Sequence, residues 1–223
     1  MNAKMTTYAR RGPVHDSLDA LNLEWGQFAD MPVAMSFGSP DRDLAAVHDL
    51  ALADASALPK LGLKGAKAAA RLEENGIEAP AEVYAWTPLS PQSGIAIRVK
   101  SDEFFLEDGL HAGRVMELKQ RLGRGLPECW PVERQDAGLF LLGARHTQVT
   151  AQTCGVDLHG GTGRLVMTRV AGVSCMVLPL KDSAGLRIWC EASFGQYLWD
   201  TLLGIVRELG GMPVGWQAIR DRL

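Results

Sequence analysis

Two stretches of this chain follow one plan. Ala57-Leu58-Pro59-Lys60-Leu61-Gly62-Leu63-Lys64-Gly65 and Gly138-Leu139-Phe140-Leu141-Leu142-Gly143 are apolar runs closed by a glycine, and each gives way to a helical pattern. Short apolar runs bounded by turn residues suit strands covered on both faces. After the first run the pattern predicts a helix over 66–74 ended by Asn75-Gly76, strands near 83–88, 94–99 and 103–106, and a helix over 111–122 with Val115, Leu118 and Leu122 on one side. After the second it predicts a helix over 146–154, strands near 164–168, 170–180 and 186–191, and a helix over 196–209. Phe194, Leu198, Leu202, Ile205 and Leu209 form the apolar stripe of that last helix. Ser193, three residues before Gln196, fits a capping box.

Each half thus reads strand, helix, several strands, helix. The fold class expected is α+β: internally duplicated split-βαβ (ferredoxin-like) halves packed as one domain. The boundaries are a polar leader at 1–15, a first half at 16–123, a linker at 124–136, a second half at 137–211 and a C-terminal tail at 212–223. Ahead of the first repeat, Leu18, Leu21 and Trp25 are spaced for one face of a helix over 16–25. A strand over 31–37 follows, then a helix over 42–50 with Leu44, Val47 and Leu50 inward.

With 223 residues, 47% hydrophobic, the chain can bury a core without disulfides or metals. A net charge of −3 gives no electrostatic case for nucleic acid or anionic membranes. The four cysteines, Cys129, Cys154, Cys175 and Cys190, form no CxxC and lie near no histidine at ligand spacing, so reduced structural thiols are expected. Met1 to Arg11 lacks a secretory apolar region, and no apolar run approaches the ~20 residues of a membrane span. A cytoplasmic location is expected.

Chemistry-bearing motifs are sparse. The five histidines are dispersed without HxH or HExxH, and Ser56 and Ser193 have no GxSxG context. No catalytic residue and no metal ligand is assigned. Asp102-Glu103 and Glu107-Asp108 bracket Phe104-Phe105-Leu106; such pairs can divide acid and base roles, but solvent-facing turn residues are the expectation. Arg145-His146 after Gly143 fits either a cation at a helix start facing a cleft or a polar first turn. Gly160-Gly161-Thr162-Gly163 reads as a hairpin connection, since no lysine-serine pair follows. Lys64-Gly65-Ala66-Lys67 fits an ordinary helix start or an anion held at helix amides. Trp130, Trp199 and Trp216 sit where a ring face can be exposed as an interface anchor, with burial in the core as the competing reading.

The order of three segments carries a family resemblance. Trp25-Gly26-Gln27-Phe28 with Met31-Pro32-Val33, then Leu52-Ala53-Asp54-Ala55-Ser56, then Leu61-Gly62-Leu63-Lys64-Gly65-Ala66 resemble the start of the folate-binding domain of aminomethyltransferases (glycine cleavage T-protein). The C-terminal half, from Thr153-Cys154-Gly155-Val156-Asp157-Leu158 onward, resembles the gamma subunit of heterotetrameric sarcosine oxidase, a shortened member of that superfamily. There a Ser-Phe-x-x-Tyr-Leu-Trp run is typical; here it is Ser193-Phe194-Gly195-Gln196-Tyr197-Leu198-Trp199. The likeness spans about residues 15 to 210.

The resemblance implies a folate-binding-type domain lacking the C-terminal barrel of full aminomethyltransferases. In that family a Gly-Gly-x-x-Asp-Asp strand supplies an aspartate to the reacting folate nitrogens. The matching stretch here is Gln92-Ser93-Gly94-Ile95-Ala96-Ile97-Arg98, with Ala96 and Ile97 where the acids would fall, so that proton chemistry is missing. The Lys-Gly-Cys signature of the iron–sulfur repair branch is absent too. A non-catalytic gamma-type subunit is therefore implied, its partner a large flavoprotein and folate-binding oxidase subunit. The competing readings are a stand-alone folate-dependent aminomethyltransferase or folate binder of one-carbon metabolism, and a homo-oligomer with another ligand. Pocket candidates are Asp54, Arg98, Asp102 and Arg145, with Asp157 as a further carboxylate. The resemblance admits tetrahydrofolate as a ligand without requiring it.

Overall fold

The two glycine-closed runs each become a strand inside a separate sheet. The computed structural model describes residues 10–21, 23–89, 94–110, 113–158, 163–181 and 184–220. The N-terminal part supplies α1 (His15–Asp19), the hairpin of β1 (Glu24–Phe28) and β2 (Met31–Ser36), α2 (Pro40–Asp49) and β3 (Ala51–Asp54). Next come β4 (Lys60–Lys64), α3 (Ala68–Glu74), β5 (Trp86–Pro88), β6 (Ile95–Lys100), β7 (Glu103–Glu107), α4 (Arg114–Leu122) and β8 (Trp130–Glu133). The last stretch runs β9 (Ala137–Leu142), α5 (His146–Thr153), β10 (Val166–Val170), β11 (Val173–Pro179), β12 (Gly185–Cys190), α6 (Gly195–Glu208), β13 (Met212–Pro213) and α7 (Trp216–Ile219).

The smaller sheet has the order β5-β6-β7-β4-β8 and the larger β10-β11-β12-β9-β3-β13. Among the described pairings only β3–β13 is parallel. Both β7 and β8 run opposite to the β4 between them, so α4 links two parallel strands across it. Helix α6 does the same from β12 to β13, across β9 and β3.

Period-two alternation along the strands builds the layers. Leu52, Leu139, Leu141 and Ile188 point outward onto Leu198, Trp199, Leu202 and Val206 of α6. On the smaller sheet, Leu61, Leu63 and Leu106 meet Leu72 of α3 and Val115 and Leu118 of α4. Between the sheets, Ile95, Ile97 and Phe105 face Met176, Leu178 and Trp189. The result is helix, sheet, sheet, helix. Where the larger sheet extends past the smaller one, Ala53, Phe140 and Leu142 are covered by Val47, Val33 and Trp216. Each fully buried leucine or phenylalanine contributes ~1.5–3 kcal/mol.

The closing glycines are required by their backbones. Gly65 has φ +133° and a Cβ there would stand 2.2 Å from the Glu128 carbonyl oxygen; at Gly143 the values are +97° and 2.3 Å, to the Asp49 carbonyl. Any side chain would force the following helix away from its sheet.

Several expectations are corrected. The helix expected to reach Trp25 ends at Asp19, and Trp25 lies in β1 opposite Ala34. Leu18, Leu21 and Trp25 still join one core cluster, so the spacing marked a shared direction of burial, with the chain reversing in between. Ala51–Asp54, to which no element was assigned, is a strand buried on both faces and therefore shows no alternation. Leu44 is 53% and Phe194 51% exposed, so neither belongs to the inward stripe assigned to it. Phe194 lies in a 3-10 turn at Ala192–Phe194 that precedes α6. The capping box is not formed, because the Glu191 carboxylate takes the Ser193 amide at 3.4 Å and also its hydroxyl. Residues 124–136 contain β8, and residues 212–220 are packed structure.

That C-terminal segment is held by directional bonds. The Val214 amide donates to the Leu52 carbonyl at 2.9 Å, the Gly215 amide to Asp43 Oδ2 at 3.1 Å, and the Trp216 indole to the Asp54 carbonyl at 2.8 Å. Trp216, only 5% exposed, also packs its ring on Phe28 with centroids 4.8 Å apart. Trp216→Ala is expected to lower unfolding free energy by ~3–5 kcal/mol, while Leu44→Ala stays within ~0.5 kcal/mol of wild type. Urea titration of the two variants checks the contrast.

Candidate functional site

The seam between the sheets carries charge. In β7, Phe105 and Glu107 share the inward face, and Glu107 is completely buried. Its carboxylate accepts from the Arg187 guanidinium of β12 and from the Trp189 indole at 2.8 Å, and it pairs with the Lys60 ammonium of β4 at 3.1 Å. Lys60 also donates to the Ser56 and Leu58 carbonyls at 3.0 and 2.9 Å. Arg187 lies 5.0 Å over the Phe140 ring. Burial holds the Arg187 pKa below its ordinary value, opposed by the charge of Glu107 and its hydrogen bond.

A second buried group adjoins it. Asp54 Oδ1 accepts from the Ser56 amide at 3.0 Å and its hydroxyl at 2.5 Å, and the Ser56 hydroxyl accepts from the Gly138 amide at 3.1 Å. Burial raises the Asp54 pKa; the bonds from Ser56 and the charge of Lys60 oppose the rise. Asp108, 1% exposed, takes the Arg114 and Val115 amides at 3.1 Å each and so caps α4 from outside the helix. Burial pushes its pKa up to about 6 against those two bonds.

Two grooves open at this seam, meeting along Glu133, Arg134 and Gln135. One, of about 770 Å³, has Ser56, Leu58 and Lys60 in its wall, and Arg11 and Lys119 among its other lining residues. The other, of about 840 Å³, lies between inner sheet faces and is lined by Met176, Trp189, Lys100 and Arg169. Arg134 holds Asp136 through two bonds of 2.8 and 2.7 Å and lies 5.3 Å over the Phe105 ring.

Chemically this network is densely connected. Glu107 has donors on both oxygens, Lys60 has three acceptors, and the Ser56 hydroxyl both donates and accepts. The Lys60 ammonium thereby uses all three of its protons, while Glu107 and the Ser56 hydroxyl each retain a lone-pair site. Among the described residues no group of three or more metal-ligating side chains exists.

The structure disperses the pocket candidates. Asp54 lies in the buried network. Arg98 stacks 4.9 Å over Phe104 on the helix-covered face of the smaller sheet. Asp102 is in the β6–β7 turn, its carbonyl accepting from the Gly65 amide at 2.8 Å. Arg145 binds Asp49 twice, at 2.7 and 2.6 Å, and the Leu209 carbonyl at 2.8 Å, tying α2 to the end of α6. That bond holds the Asp49 carboxyl below its usual range. None of the four lines either groove, and Asp157 is exposed.

Other motifs resolve as follows. Glu107 and Asp108, expected in solvent, are buried, because both faces of β7 are covered. The cationic partners of Glu107 come from other strands, Arg187 being 80 positions away, whereas Asp108 is held by backbone amides of α4. Ala96 and Ile97 are wholly buried, and Gln92 and Ser93 lie outside the described residues, as do His111, His159 and Gly160 to Thr162. His146 is buried with Nδ1 2.9 Å from the Gly143 carbonyl. At the start of α3 the Gly65 and Lys67 amides already serve the Asp102 and Glu128 carbonyls, and Lys67 pairs with the Glu128 carboxylate at 2.7 Å. Trp199 and Trp216 are core residues, whereas Trp130 is 53% exposed.

The molecule is thus a mixed α+β protein of two large sheets and a two-stranded hairpin, with helices on the outside and a buried charge network at the seam of the large sheets. No family model and no curated protein matches its sequence. Among solved structures it is similar to the glycine cleavage system aminomethyltransferase T from Bartonella henselae, with TM-score 0.75 and 17% identity over 94% of this chain and 60% of that one. It is also similar to a chain of heterotetrameric sarcosine oxidase from Corynebacterium sp. U-96 in complex with pyrrole 2-carboxylate, with TM-score 0.66 and 20% identity over 91% of this chain and 97% of that one. At these identities the likeness is one of fold, and that fold is the one the sequence resemblance implied. The chain spans 60% of the length of the aminomethyltransferase. Among the described residues no helix is long and apolar enough to cross a membrane.

Two outcomes follow from the network. Glu107→Ala leaves two buried cations without their anion and is expected to lose ~3–5 kcal/mol in chemical denaturation. Asp108 has a folded pKa of about 6 against an ordinary 3.8, so the native state binds more protons between those values and this group's share of stability falls as pH rises through them. Asp108→Asn is therefore expected to gain on wild type by roughly 1–3 kcal/mol between pH 4 and pH 7, read from urea midpoints across that range.

Proposed function

We propose that this chain is a non-catalytic, gamma-type subunit supporting a folate- and flavin-dependent demethylating oxidase of sarcosine-like N-methyl amino acids. One observation carries the reading: the fold matches 97% of the sarcosine oxidase chain, at TM-score 0.66. Two features support it. The buried carboxylates Asp54, Glu107 and Asp108 all accept protein hydrogen bonds, and the strand where the transferase family places its acids carries Ala96 and Ile97. Both sheets are threaded strand, helix, three strands, helix, strand. We read them as two copies of one split-βαβ unit, β3 being inserted in the second. In the complex the chain acts as a wedge of fixed shape against the large subunit. Trp130, Val132, Phe194 and Tyr197, each 44–55% exposed, suit such contacts. A cytoplasmic location accompanies this role.

The second reading, a stand-alone folate binder or aminomethyltransferase, draws on the higher TM-score of 0.75. Co-expression with a large flavoprotein oxidase subunit, followed by size exclusion, separates the two. Stoichiometric co-elution, with no heat from tetrahydrofolate titrated into this chain alone, is the expected result. Micromolar binding of tetrahydrofolate by the isolated chain, without co-elution, would overturn the subunit reading.

A further inference from the structure

We propose that β10 is a self-pairing edge: two copies of this chain join antiparallel along it, about a twofold axis at Thr168, and run their six-stranded sheets into one. The two large sheets end in four outer strands, β5, β8, β10 and β13. Three of them carry a proline, Pro88 in β5, Pro131 in β8 and Pro213 in β13, and β5 and β13 are only three and two residues long. Proline and brevity are devices that keep a sheet edge from pairing with another chain. β10 has neither. Its five residues, Val166-Met167-Thr168-Arg169-Val170, include three that are β-branched, and they pair with β11 in unbroken register.

The outward groups of this edge follow from its hairpin. Val170 faces Val173 across the two-residue turn Ala171-Gly172, with φ of 49° and 81°, so these two residues bond each other. Bonding direction alternates along an antiparallel strand. Thr168 and Val166 therefore also bond β11, while Leu165, Met167, Arg169 and Ala171 turn their groups outward. The two outermost are taken: the Leu165 amide donates to the Tyr84 carbonyl and the Ala171 amide to the Thr153 carbonyl, both at 2.8 Å. Met167 and Arg169, between them, have no outward backbone partner among the described residues. The Met167 side chain is 50% exposed, and Arg169 is exposed without an ion pair among the described residues.

Two free positions spaced two apart are self-complementary. With Met167 opposite Arg169 of a second copy, and the reverse, the strands exchange four hydrogen bonds. The ladder stops there because the next groups, at Leu165 and Ala171, are engaged within the chain. Thr168 meets Thr168 on the axis, a favourable cross-strand pair. The other symmetric registers fit less well. Arg169 opposite Arg169 sets like charges directly together, and Met167 opposite Met167 calls on the Leu165 amide. The contact is isologous, the usual form of a homodimer. It does not use Trp130 or Val132 of β8, which lie on the smaller sheet, so it neither needs nor opposes the subunit reading.

One strand makes a small interface, so half-association is expected near ~100 µM. Sedimentation velocity of the full chain from about 10 µM to about 1 mM reads it. Met167→Pro removes an outward amide without touching the β11 ladder and should weaken the dimer at least about tenfold. A mixing experiment tests the register without proline. Met167→Cys and Arg169→Cys proteins are combined with oxidised glutathione, whose disulfide accepts the two thiols' electrons and leaves as two glutathione thiols. Directly opposed residues have Cα atoms about 5.5 Å apart, within disulfide reach, whereas identical positions lie diagonally at about 7–8 Å. The mixture should therefore cross-link and neither variant alone should do so. The proposal is overturned by a monomer throughout the concentration range, by a dimer that Met167→Pro leaves intact, or by Met167→Cys cross-linking alone as readily as in the mixture.

Discussion

One carboxylate fixes how the two sheets meet. Glu107 lies fully buried where apolar residues of both sheets face each other. A bare carboxylate there would cost several kcal/mol in lost hydration. It persists because Arg187 and Trp189 reach it from the larger sheet and Lys60 from the neighbouring strand of its own. The apolar contacts around it hold the sheets together but are non-directional. Hydrogen bonds to one carboxylate are directional, so a slip by one residue in β12 would remove Arg187 and Trp189 together. Lys60 extends the constraint through the Ser56 and Leu58 carbonyls, and Ser56 in turn binds Gly138 of β9. Core packing and the walls of both grooves therefore depend on one chain of polar contacts.

Much of the scaffold was legible because its signals are local. The glycine-closed runs mark β4 and β9, since left-handed backbone and close approach to a neighbouring chain admit little else. The apolar stripes of α4 and α6 are visible for the same reason. What was missed depends on long-range contact. Ala51–Asp54 has no alternating pattern because sheet neighbours and both faces are covered, and only tertiary pairing makes it a strand. Trp25 followed a helical spacing that a short helix and a strand, both facing one core cluster, reproduce equally well.

The site was less legible than the scaffold. Glu107 and Asp108 follow Phe104-Phe105-Leu106, and a strand flanked by acids reads as an edge in water. Their burial follows from a second sheet that supplies Arg187 80 positions later, and from the α4 amides that take Asp108. The period-two rule did hold a clue: Glu107 shares its face with Phe105. Asp54 was singled out by resemblance and does lie in the buried network, but Arg98, Asp102 and Arg145 each serve a separate local purpose. Arg145 is instructive, because a cation after a glycine at a helix start looks poised for a ligand. Here it locks Asp49 and the end of α6 instead.

The seam is densely hydrogen-bonded, although buried atoms elsewhere, Asp43 Oδ1 among them, have no partner. Glu107, Lys60 and Ser56 are each tied to two or more partners, which fixes their positions within the seam. The same connectivity makes the wedge between the sheets stiff, since each polar group holds its neighbours in one arrangement. A rigid body with exposed aromatic residues at Trp130, Phe194 and Tyr197 loses little conformational entropy on docking. Charge inside is handled in two ways: Glu107 is paired with Arg187 and Lys60, while Asp43, Asp54 and Asp108 are held by hydrogen bonds from backbone amides and, for Asp54, a hydroxyl.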